Sequence, residues 1–110
     1  MIVKLAISKQ HFNFQDDSGK WHDWRVADLH EHAASIPVSG KIDVSRLTIR
    51  EGLSSRRIDA ADLKYPILLS DSHIVDGQHR IAKARKLGID MLEYKVIDPY
   101  DVKESGRSLK

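Results

Sequence analysis

Between Tyr65 and Ile97 the chain changes character every few residues. PILLS and HIVD are short apolar runs on either side of a turn at Asp71 and Ser72, and Gly77 follows them. Residues 78–87 then hold Arg80, Lys83, Arg85 and Lys86 with no acid, Gly88 stands behind them, and Leu92 to Ile97 alternates apolar with polar residues. Apolar alternation marks half-buried strands and a glycine just past a helical segment marks its C-terminal cap, so the pattern predicts strand, turn, strand, helix over Gln78–Leu87, strand. A helix this basic, wedged between apolar strands, needs a reason.

The remainder is read more coarsely. Ile2 to Ile7 alternates as a strand does, and HFNFQ, DDSGK and WHDWRV read as a hairpin around Gly19. Asp28 to Ile36 has helix formers with Leu29 and Ala33 at helical spacing and Pro37 as the stop. Residues 38–58 suggest brief strands or extended loop through Ile42/Val44 and Leu47/Ile49, with one helical turn at Asp59 to Leu63. The charged tail 99–110 is expected to be flexible. No repeat or linker divides the chain, so residues 1–110 are expected to form one domain.

Composition narrows the chemistry. With no cysteine, disulfides, iron–sulfur clusters, thiolate zinc and cysteine nucleophiles are excluded. No stretch approaches the roughly 20 apolar residues of a membrane span, and MIVKLAISKQHF lacks the long apolar region of a secretory signal, so the expected compartment is the cytoplasm. The formal charge of +2 is too small to argue for nucleic acid by itself. His30 and His32 lie on different faces of their predicted helix, and no zinc-type spacing joins the six histidines. Trp21 and Trp24, three apart in a predicted hairpin, point to opposite faces, which argues against a shared platform for single strands.

At about 100° per residue, Ile81, Ala84, Leu87 and Gly88 share the apolar arc of the basic helix, and Lys83, His79 and Lys86 fall opposite. Arg80 lies inside the apolar arc. A guanidinium there loses hydration and needs an anion, supplied by a ligand or by a carboxylate such as Asp76 or Asp62. The first N–H groups of the helix have no internal partners, and Gly77 could let a ligand approach them. Gly77, Gln78, His79 and Arg80 thus have the chemistry of a phosphate cradle. The plainer account makes Asp76 an N-cap, Gly77 a turn residue and Arg80 half of an internal ion pair.

YPILLSDSHIVDGQHRIAKARKLGIDMLEYKVI resembles the core of the ParB/sulfiredoxin superfamily, and the longer RRIDAADLKYPILLSDSHIVDGQHRIAKA is similar to its small stand-alone ParB-like proteins. The likeness is best over residues 56–97. It implies a compact α/β (α+β) fold, a mixed sheet with helices, whose helix N-terminus carries a phosphate-binding turn matched by Gly77, His79 and Arg80. In the free serine kinases of the superfamily the aspartate matched by Asp76 assists phosphoryl transfer, and the second acid comes from an earlier segment, where Glu31 is the one helical glutamate. The chain departs from sulfiredoxins, which carry a cysteine where Gln78 stands, and from partition proteins, since only about a dozen residues follow the last predicted strand.

The expectation is therefore a nucleotide- or phosphate-binding protein, with phosphotransferase or nucleotide hydrolase activity as the catalytic version. Mg²⁺ would accompany a nucleoside di- or triphosphate, held by phosphate oxygens and Asp76. Arg56, Arg57 and Lys83 are accessory basic candidates. The alternative is a non-catalytic module that binds DNA or a protein through Lys83, Arg85 and Lys86.

Overall fold

A computed structural model describes residues 10–71 and 73–107. The chain forms two compact units, one from residues up to 36 together with those from 98 onward, the other from residues 37–97. The whole is of the α+β class, and the strand expected at Ile2 to Ile7 lies outside the described residues.

In the first unit β1 (His11–Gln15) and β2 (Trp21–Arg25) form an antiparallel hairpin in which Phe12 faces Trp24 and Phe14 faces His22. The sequence places this hairpin correctly because its turn is chemically specified. Asp16 Oδ1 accepts from the Ser18 and Lys20 amides and the Ser18 hydroxyl, while Gly19 takes a φ of 89°. Helix α1 (Val26–Ala33) follows at once and buries Val26, Leu29 and Ala33. It starts and stops earlier than the expected Asp28 to Ile36, because Val26 belongs to the buried stripe and Ile36, preceding Pro37, is pushed out of helical geometry. Trp24 is wholly buried and Trp21 is 48% exposed, on opposite faces as their spacing requires.

Residues 99–107 of the tail carry more contacts than their charge suggests. Residues 99–107 are tied down: Pro99–Asp101 form a 3-10 turn capped by the Asp98 side chain, the Trp24 indole donates to the Val102 carbonyl at 2.9 Å, and the Ser105 amide donates to the Asp23 carbonyl at 2.9 Å. Charge alone suggested mobility, whereas these hydrogen bonds join residues about 80 positions apart, a range that local reading does not cover.

In the second unit β3 (Gly40–Asp43), β4 (Ile67–Leu69), β5 (Ile74–Asp76) and β6 (Met91–Val96) form one sheet in the order β3-β6-β4-β5. Only β4 and β6 pair in parallel. Helix α2 (Ser55–Ala60) is capped by the Ser54 hydroxyl and buries no residue, so it carries no apolar period to announce it. The helical turn expected at Asp59 to Leu63 is thus the displaced end of this element. Helix α3 (Gln78–Lys86) appears where the sequence puts it. Gly88, at φ 72°, closes it by donating to the Arg85 carbonyl at 3.2 Å while the Ile89 amide reaches Ala84 at 2.8 Å, a Schellman cap. Val44, Ile67, Ile81, Ala84 and Leu92 make the core of the unit, flanked by Ile42, Leu47, Leu63 and Tyr94 among others.

Gly77 joins β5 to α3 at φ 120°, and a Cβ built there would stand 2.5 Å from Ile67 Cγ2 and 2.8 Å from Ile67 Cβ. Ile67 is fully buried and cannot step aside cheaply. Gly77→Ala is therefore expected to cost about 2–4 kcal/mol through overpacking and backbone strain. Gly88→Ala meets nothing within 4 Å, so only its left-handed backbone resists, at about 1 kcal/mol. Thermal denaturation of the two variants side by side checks the order.

Candidate anion site at the start of the basic helix

The cations of α3 explain themselves once their partners are followed. Arg80, 9% exposed, donates from Nη1 to the carbonyls of Tyr65 at 2.9 Å and Pro66 at 2.6 Å, and from Nη2 to Asp76 Oδ2 at 2.9 Å. Burial pushes its pKa down while Asp76 and Asp62 push it up. The helical wheel demanded an anion for this guanidinium, and the protein supplies one from its own β5.

The other three side chains repeat the device on other loops. Lys83 Nζ donates to the Asp59 carbonyl at 2.9 Å and the Ala61 carbonyl at 2.8 Å, satisfying the end of α2, and Lys86 pairs with the Asp59 carboxylate at 2.8 Å. Arg85 binds the Val44 carbonyl through Nε at 3.2 Å and Nη2 at 2.6 Å, and Nη2 also reaches the Leu47 carbonyl. Lys83, expected as an accessory phosphate ligand, is thus a brace.

Around the first turn of α3 the arrangement is different. No side chain caps the helix, whose N-cap is Gly77 and not Asp76. Gly77 is itself buried under Ile67, so it serves close packing of the turn on β4 rather than a ligand's approach. Gln78 Oε1 accepts from the Arg50 amide at 2.8 Å, pinning the 47–54 loop against the helix start. His79 is partly exposed, and its pKa is lowered, first by burial, then by the charges of Arg50 and Arg57, with Asp76 opposing. Arg50 and Arg57 are exposed, and among the described residues neither has an ion pair with a carboxylate.

Of the residues singled out in the sequence, Asp76, Gly77, Gln78, His79 and Arg80 are neighbours at this turn, and the charge of Arg57 on α2 acts on His79. Arg56 is an exposed residue of the same short helix. Glu31, the suggested second acid, is an exposed residue of α1 and belongs to the other unit. Arg50 escaped sequence reading because nothing local links it to a turn 28 residues away. Among the described residues no group of three or more histidines or acids is placed to hold a metal ion, and no helix is long and apolar enough to cross a membrane.

The partners of Arg80 tie it to the fold of the second unit. Arg80→Met is expected to destabilise by about 2–4 kcal/mol, because it removes the buried donor to the Tyr65 and Pro66 carbonyls and the ion pair with Asp76. Denaturant melts of Arg80→Met against the exposed Arg57→Met, expected near wild type, check this. Comparisons of the chain with models of protein families, with curated proteins and with solved structures find no match.

Proposed function

We propose that the chain binds a phosphate-bearing ligand, a nucleotide in the ParB-like reading of its turn, at the start of α3. The observation that carries this reading is that the charges of Arg50 and Arg57 act on His79 in the first turn of a helix with no side-chain cap, while neither arginine is paired with an acid among the described residues. Unneutralised like charges repel, and an anion between them relieves the repulsion while satisfying the helix amides. Arg80 supports the site from behind by holding Asp76 and the 65–66 carbonyls. Gln78 positions Arg50.

Binding is the core of the proposal. A phosphotransferase or hydrolase would also need an acid, and Asp76, the one carboxylate of the turn, is engaged by Arg80. Mg²⁺ would then arrive on the nucleotide's own phosphate oxygens. The reading as a DNA- or protein-binding module relied on Lys83, Arg85 and Lys86, whose charged ends are occupied by α2 and the 44–47 segment.

Thermal stabilisation by pyrophosphate, ADP, ATP, CTP and GTP, with and without Mg²⁺, tests the proposal on wild type, Arg50→Ala and Arg57→Ala. A melting temperature raised in wild type and unmoved in both variants, with unliganded stability equal in all three, is the expected result. No shift with any of these at millimolar concentration, or equal shifts in wild type and variants, defeats it. Bound phosphate favours the charged imidazole, so binding takes up a proton and tightens as pH falls through the lowered His79 pKa. His79→Gln should flatten that part of the pH dependence.

A further inference from the structure

The hairpin of the first unit carries a second constellation that the proposed anion site does not use. His22 is buried, and both of its ring nitrogens face carboxylates: Nε2 lies 2.8 Å from Asp16 Oδ2 and Nδ1 lies 3.1 Å from Glu104 Oε2. An ionised carboxylate only accepts, so both nitrogens must donate and the ring must be the imidazolium. The ring is packed at 5.4 Å from Phe14 and 6.0 Å from Trp24, with Tyr100 edge-on at 5.2 Å.

Glu104 and Tyr100 belong to residues 98–107, which lie along the hairpin as a strap. Glu104 Oε1 accepts from the Asp23 amide at 3.2 Å, the Val102 carbonyl accepts from the Trp24 indole, and Ser105 and Arg107 bind the buried Asp23 carboxylate. We propose that residues 98–107 are a proton-operated strap, locked over the aromatic face of the hairpin by the His22 imidazolium between Asp16 and Glu104 and released when that ring becomes neutral.

A neutral ring has one N–H, so one of its nitrogens would confront a carboxylate with lone pair against lone pair. Asp16 is held by the turn through Ser18 and Lys20. Glu104 is the partner left to give way. Its departure also loosens the Asp23 amide, and the edge-on ring of Tyr100, 5.6 Å from Trp24, lies on the same segment.

The charged groups around the lock are Asp16 and Lys20 from the turn and Asp98, Tyr100 and Glu104 from the strap, while His11, Asp23 and Arg107 form a separate ion-paired cluster whose strand residues lie on the opposite face of the hairpin. Asp16 and Glu104 raise the His22 pKa, and His22 lowers that of Glu104. A raised imidazole pKa stabilises the closed state below its ordinary range, and this is lost as pH rises through the raised value. The depressed Glu104 pKa acts in the other direction, with loss as pH falls through it. The strap is closed between the two.

The test uses the full chain with Trp21→Phe, so that Trp24 alone reports. Its emission should shift to the red as pH rises above the ordinary imidazole range. Amide exchange at residues 102–107, corrected for intrinsic base catalysis, should quicken over the same interval while β1 and β2 stay protected. Glu104→Gln removes one of the two charges and should lower the midpoint by about one pH unit. Glu104→Asp, with its charge kept and its reach shortened, gives the same comparison should Glu104→Gln not fold, again with a lowered midpoint. An emission that does not titrate, a midpoint unchanged in the Glu104 variant, or exchange that quickens equally in the strands would overturn the proposal.

Discussion

Loop carbonyls held by long cationic side chains organise the second unit. Three short stretches, 44–47, 59–61 and 65–66, present backbone carbonyls outside the sheet, and each meets a donor from α3. One helix therefore fixes three connections at once. Such a helix has to be rich in lysine and arginine, since an ammonium offers three donors and a guanidinium five at the end of a long stem. Its basicity is the chemistry of internal bracing.

What distinguishes the candidate site is then a matter of which cations are left over. Arg80, Lys83, Arg85 and Lys86 are engaged, whereas Arg50 and Arg57 have no carboxylate partner among the described residues and their charges act on His79 in the first turn of the helix. A charge already matched internally gains little from a ligand, and one that repels its neighbours gains a great deal. The distinction cannot be made from residue type, because matched and unmatched arginines are the same letter.

Legibility in the sequence followed the range of the forces involved. The hairpin at Gly19, helix α3 and its Gly88 cap were readable because turn chemistry and apolar period act over a few residues. Arg80 was readable as a side chain needing an anion, and the choice between ligand and Asp76 was left open because both satisfy the same demand. Helix α2 was missed since it buries nothing, and Arg50, the strap and the use of Gly77 as a seat for Ile67 depend on contacts between distant residues. The ParB-like resemblance pointed to the turn before α3, where the structure gives Arg80 and Gly77 internal partners.

The two units differ in how they are threaded. Residues 37–97 are continuous and contain every strand of their sheet, so that unit can close as soon as its own stretch is available. The other is assembled from two separated pieces, and the indole of Trp24 has no Val102 carbonyl to bind until the later piece is present. During synthesis from the N-terminus, the hairpin therefore waits with an aromatic face uncovered while the intervening residues are made. Its closure carries the entropy of a long loop, and completion of that unit comes late by construction.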